Sequence, residues 1–225
     1  MYQNLNWKEF QDKNQLEKTL LKDVVDIANK AVSQKGSFKI VMAGGSTPEN
    51  LYRSFLNIHD QKFVNWELYL GDERLLPPDN EDRNSHMIKR SFINHLPEDK
   101  KPKFFPINSE KGSKEAAIEY NSIIEKIDQF DLALLGLGED GHTASLFPGH
   151  RYDNQLNVVA VENAPKPPSK RISMTPKAFL KAEKIFFIVT GHGKKNAVNS
   201  WKKDDEIPAS KILSENLIDI YYNLD

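Results

Sequence analysis

The sequence contains no cysteine. Disulfides, thiolate nucleophiles and cysteine-ligated zinc are therefore excluded. No apolar run approaches the ~20 residues that a spanning helix needs. The opening segment, Met1 to Asn14, lacks the apolar core of a signal peptide. Neither charge sign dominates: 31 lysines and arginines face 32 aspartates and glutamates, a formal net of −1. Neither nucleic acid nor a membrane is thus an expected partner, and the cytoplasm is the expected location. Internal repeats, low-complexity tracts and long flexible linkers are also missing. No reading of oligomeric state follows.

What is present suits a globular α/β protein. Hydrophobic residues make up 39% and charged residues 28% of 225, enough for a core without staples. Leu16, Leu20, Val24, Ile27 and Ala31 recur at helical spacing, and Gly36 is a natural stop. Short apolar runs follow at Phe38–Met42, Trp66–Leu70, Asp131–Leu135, Val158–Val161, Arg171–Met174, Ile185–Val189 and Leu217–Tyr222. Between them lie helical patterns at Asn84–Phe92, at Ala117, Tyr120, Ile124 and Ile127 behind a Ser113 cap, from Thr175-Pro176, and at Ala197–Trp201. Strands alternating with helices predict a doubly wound, mainly parallel sheet with helices on both faces. The short strands between Val158 and Met174 are candidates for a small antiparallel appendage. Residues 1–225 read as one domain.

In such sheets ligands collect beyond the carboxyl ends of the strands. After the first strand comes Gly44-Gly45-Ser46-Thr47-Pro48, a turn suited to phosphate, with Ser46 or Thr47 as helix cap. After the second comes the polar stretch Asp72-Glu73-Arg74. After the third comes Gly136-Leu137-Gly138-Glu139-Asp140-Gly141-His142, formally a G-x-G-x-x-G. A dinucleotide site would place Glu162 on a ribose, but Pro148 and Gly149 leave no room for the crossover helix that site requires. The alternative gives His142 the main role, because imidazole takes a proton near neutrality. Asp140 is placed to orient it. Arg171 and Lys194, at further strand termini, are candidate phosphate cations. Lys195, one position on, is expected to point elsewhere.

Taken together, the segments Met42–Pro48, Gly71–Arg74, Gly136–Pro148 and Thr190–Lys194 resemble the 6-phosphogluconolactonase family. The stretch Asp140-Gly141-His142-Thr143-Ala144-Ser145-Leu146-Phe147-Pro148 is the most specific. The resemblance implies hydrolysis of 6-phospho-D-glucono-1,5-lactone to 6-phosphogluconate, in the oxidative pentose phosphate pathway, with neither cofactor nor metal. It also implies a fold shared with glucosamine-6-phosphate deaminases. Those relatives carry a glutamate where this chain has Phe147, and D-E-Y where it has Asp72-Glu73-Arg74. Both differences favour the lactonase over a deaminase, and the complete polar set argues against a non-catalytic sugar-phosphate sensor. The expected roles are His142 as base, Asp140 as its partner and Arg74 at the developing oxyanion. Asp72 is expected to orient Arg74 or a substrate hydroxyl. Gly44, Gly45, Ser46, Thr47, Arg171 and Lys194 are expected to hold the phosphate. The departures from the family pattern are His192, Lys195, Leu75-Leu76-Pro77-Pro78 and the polar strand Arg171-Ile172-Ser173-Met174-Thr175, and none removes a candidate catalytic group.

Overall fold

The structure, a computed structural model, describes residues 3–153, 155–203 and 205–225. The first helical pattern becomes α1 (Lys13–Lys35). Asp12 caps it by accepting from the Asn14 amide, and it stops at Gly36. Its buried stripe is Leu16, Leu20, Val24, Ala28 and Ala31. Ile27, expected on that stripe, lies half-buried at its edge because Ala28 takes the central position.

Seven strands form the main sheet: β1 (Leu5–Glu9), β2 (Phe38–Met42), β3 (Trp66–Leu70), β5 (Lys103–Phe105), β6 (Phe130–Gly136), β9 (Ala182–Thr190) and β10 (Ile218–Asn223). Their order is β1-β10-β9-β6-β2-β3-β5, and every pairing is parallel. All six residues of β10 and the first six of β6 are buried, whichever way their side chains point. Both sheet faces are therefore covered, as parallel strands require. The remaining helices are α2 (Ser46–Phe55), α3 (Asn84–Ser91), α4 (Ser113–Glu125), α5 (Pro176–Phe179) and α6 (Lys195–Lys202). No described helix is long and apolar enough to cross a membrane.

A second sheet of three antiparallel strands, in the order β4-β8-β7, stands apart: β4 (Asp72–Arg74), β7 (Val158–Val161) and β8 (Arg171–Met174). This corrects one reading. Asp72-Glu73-Arg74 looks like a polar loop but is a strand, with Asp72 opposite Ser173 and Arg74 opposite Arg171. Three charged residues carry no hydrophobic alternation, and their pairing partner lies far along the chain. The edge strands β1 and β5 escape the pattern for a similar reason, being short and only partly buried. A tie holds β1 to its neighbour: Lys8 Nζ donates to Tyr221 Oη at 2.9 Å, and Asn6 Nδ2 to Asp219 Oδ1 at 2.6 Å.

Two caps also differ from expectation. Gly45 and Gly112, not the following hydroxyl residues, cap α2 and α4 without side-chain bonds. Ser113 instead donates to Glu162. Glu162, once a candidate ribose ligand, also pairs with Lys170 at 3.8 Å.

Candidate active site

The chain leaves β2 toward β3 on one side of the sheet and continues from β6 toward β9 on the other. The neighbouring strands β2 and β6 thus flank the point where winding reverses, and a crevice opens beyond their carboxyl ends. A cavity of about 320 Å³ occupies it. Every predicted site residue except Asp140 lines this cavity.

The loop after β2 is pinned from its own helix. Tyr52 Oη takes the Ala43 amide proton at 2.9 Å and donates to the Ala43 carbonyl at 2.8 Å. Gly44 is demanded by a close approach: a Cβ there would stand 2.2 Å from Asn84 Oδ1. Ser46 is exposed at the start of α2, its hydroxyl not spent on a cap. Thr47 Oγ1 lies 2.6 Å from Thr190 Oγ1, which joins the β2 loop to the end of β9.

The loop after β6 turns back on itself, with the Gly138 amide donating to the His142 carbonyl at 2.7 Å. No helix follows; a bridge between Thr143 and Leu146 does, which removes the dinucleotide alternative. Asp140 Oδ1 accepts from the His142 amide at 3.2 Å and lies 2.5 Å from its Nδ1. An ionised carboxylate only accepts, so Nδ1 carries the proton and Nε2 the free lone pair. Burial pushes the His142 pKa below the ordinary imidazole value, and Asp140 partly opposes this. Burial, the largest single influence, would raise Asp140, but the side-chain bond to His142, its charge and the backbone amides together outweigh it and hold the carboxyl below its usual range. The Gly138 position is as constrained as Gly44. A Cβ would meet His142 Nδ1 at 2.0 Å and Asp140 Oδ1 at 2.6 Å. Gly138→Ala is therefore expected to break the His–Asp pair and cut turnover at least about tenfold, with far-ultraviolet circular dichroism unchanged.

On β4 alternate side chains diverge. Asp72 and Arg74 face the cavity, and Glu73 points the other way. Of the two roles expected of Asp72, the contact with Arg74 does not form. Asp72 is held instead by Asn84 Nδ2 at 3.0 Å and Ser145 Oγ at 2.5 Å, while Arg74 Nη1 donates to the Asp82 carbonyl. Glu73, to which the sequence reading assigned no role, is fully buried. It accepts from the amides of Arg74, Asn84 and Ser85 at 2.8, 2.7 and 2.8 Å. Arg83 Nε lies 3.4 Å away, an ion pair without hydrogen-bond alignment. Asn84, Ser145, Tyr52 and Thr190 are the other participants that sequence reasoning missed. Only Ser145 and Thr190, inside recognised segments, carried any signal.

Lys194 lines the cavity, and burial pushes its ammonium pKa down, against the charge of Glu139. Lys195 and His192 are exposed and do not line the cavity. Arg171 Cζ stands 5.5 Å from the centroid of Phe147, whose ring lies 4.7 Å from that of His142. Among the described residues, no three His, Asp or Glu side chains converge as a metal site.

A doubly wound sheet with an anion-suited glycine turn and a histidine–carboxylate pair at its switch point defines an α/β protein built to hold a small anionic ligand beside a basic side chain. Residues 11–220 match the model of the glucosamine-6-phosphate isomerases/6-phosphogluconolactonase family, and the chain belongs to that family. It is 30% identical over 220 residues to 6-phosphogluconolactonase 3 of Saccharomyces cerevisiae, covering 90% of this chain and 88% of that one. Its fold superposes on a 6-phosphogluconolactonase of Thermotoga maritima with a TM-score of 0.86, at 23% identity, over 96% of this chain and 98% of the other. It also superposes on a monomeric glucosamine-6-phosphate deaminase with a TM-score of 0.82, at 21% identity, over 97% and 98%. The fold alone thus does not choose between the two chemistries.

Proposed function

We propose that this chain hydrolyses 6-phospho-D-glucono-1,5-lactone to 6-phospho-D-gluconate, the lactone-opening step of the oxidative pentose phosphate pathway. The observation that carries this reading is Phe147. It is buried against the His142 ring, where the deaminase pattern calls for an acid. An apolar ring relays no proton, so His142 has one carboxylate partner, Asp140, and a single free basic nitrogen.

In this reading Nε2 of His142 removes a proton from water as the water oxygen bonds to the lactone carbonyl carbon. The carbonyl electrons pass to oxygen. Arg74 and amides of the glycine loops face that charge. Collapse of the adduct breaks the bond to the ring oxygen, which takes the proton back from His142. The product acid then ionises. Asp72, anchored by Asn84 and Ser145, keeps lone pairs for a substrate hydroxyl. The phosphate lies against Gly44, Gly45, Ser46, Thr47, Arg171 and Lys194, and its binding energy positions the ring. No step requires a cofactor.

The same proposal takes residues 1–225 as one catalytic domain, since the site draws on elements from Gly44 to Lys194. It also takes the cytoplasm as the location, which cell fractionation checks. The deciding assay offers freshly made 6-phosphogluconolactone and, separately, glucosamine 6-phosphate, each with an enzyme-free control for spontaneous hydrolysis. Acid release from the first is expected. Ammonia from the second would make the chain a deaminase, and tight binding without turnover would make it a sensor.

A further inference from the structure

The proline-rich segment 163–170, between β7 and β8, has no part in the site as described above. Its path is set by a cavity residue. Arg171 Nε donates to the Pro168 carbonyl, and Nη2 to the carbonyls of Lys166 and Pro167, each at 3.1 Å. The segment is closed by the Ala164 amide donating to the Ser169 carbonyl at 2.8 Å. The arginine that faces the cavity thereby holds the backbone of Lys166 at its rim.

The Lys166 side chain turns toward the catalytic loop. Its Nζ lies 4.0 Å from Glu139 Oε2, one residue before Asp140. Glu139 in turn lies against the turn that carries Lys194, where a Cβ on Gly193 would meet Glu139 Oε1 at 2.8 Å. One carboxylate thus lies between the Lys166 ammonium and the turn that carries Lys194, and its charge reaches the Lys194 ammonium. Beyond burial, which is the larger cause, the charge of Lys166 also opposes protonation of both His142 and Lys194. Both partners of the Lys166–Glu139 pair are more than half exposed. An exposed pair at that distance holds weakly. A phosphate, with nearly two negative charges near neutrality, competes well for the lysine.

We propose that Lys166 is a further substrate-binding residue: it leaves Glu139 and joins Lys194 on the phosphate of the incoming lactone. Glu139 then acts as a weak competitor that occupies the lysine until substrate arrives. This rests on the lactonase reading of the same site. It makes the segment 163–170 part of the binding surface, attached through Arg171 to the cavity floor.

The test compares three variants. Lys166→Met is expected to raise KM for 6-phosphogluconolactone about fivefold to tenfold, with kcat within about twofold. Lys166→Arg is expected to restore KM, which loss of segment structure alone would not predict. Glu139→Gln is expected to leave KM equal or lower. Binding of the product analogue 6-phosphogluconate, measured by calorimetry, reads the same contribution without turnover. A wild-type chain that binds this ligand but hydrolyses no lactone would sink the lactonase reading and leave the lysine measurable. Unchanged KM and unchanged 6-phosphogluconate affinity in Lys166→Met, or weaker binding in Glu139→Gln, would overturn the role of Lys166.

Discussion

His142→Ala is expected to lower kcat about 10²–10⁴-fold, the usual worth of a general base, while KM for the phosphorylated lactone stays within a few-fold. The split follows from position. The imidazole faces the cavity, but the predicted phosphate contacts come from other loops. The wild-type pH profile carries the same assignment. The base must be neutral, and burial holds its pKa below the ordinary imidazole value. kcat/KM is therefore expected to be flat above about pH 6.5 and to fall only as pH drops below that value through the lowered pKa. Asp140→Asn removes the carboxylate that opposes the downward shift, so the acid limb should move to still lower pH. The plateau should fall too, because the tautomer is no longer held. Near-normal turnover in His142→Ala, or an acid limb above the ordinary imidazole range, would remove His142 as base.

The second large effect is on stability. Glu73→Ala is expected to cost about 3–5 kcal/mol, the range for breaking a buried ion pair from one side. The loss is large against a total of about 5–15 kcal/mol for a typical domain. Three amides would lose their acceptor, two of them at the first turn of α3, and the buried Arg83 would lose its counter-charge. Activity should fall with stability, because the Glu73 carboxylate joins the backbone of Arg74 to that of Asn84, and both residues line the cavity. Glu73→Gln, which keeps one acceptor oxygen, should lose less. Denaturant melts of the two variants measure the difference; equal and small shifts would show that Glu73 is dispensable to the junction between β4 and α3.

The pairing of Asp140 with His142 in the loop after β6 was legible because its hydrogen bonding is local. Asp140 and His142 are two residues apart, and the carboxylate closes onto the ring and the amide of the same turn. The turn needs Gly138 because the paired side chains fill the space of a Cβ. The central strands β2, β3, β6, β9 and β10 were legible because burial on both faces leaves near-continuous apolar runs, broken by single polar residues such as Lys39, Glu67 and Asp219. The residues that were missed act over long separations. Asn84 fills the space beside Gly44, Ser145 grips Asp72, and Thr190 meets Thr47. Each is a small polar residue of a kind common on any surface, and none belongs to a periodic pattern.

The sequence by itself determined the alternating α/β plan, the strand-end loops that carry polar groups, and the His142–Asp140 pair with Phe147 beside it. Those features arise from short-range periodicity and from contacts within one turn. Only the tertiary structure decided that Asp72-Glu73-Arg74 is a strand and that alternation sends Asp72 and Arg74 into the cavity and Glu73 into the interior. It alone brought segment 163–170 to the rim through Arg171. Strand pairing and the burial of charge depend on partners distant in the chain, and no local pattern encodes which partner is met.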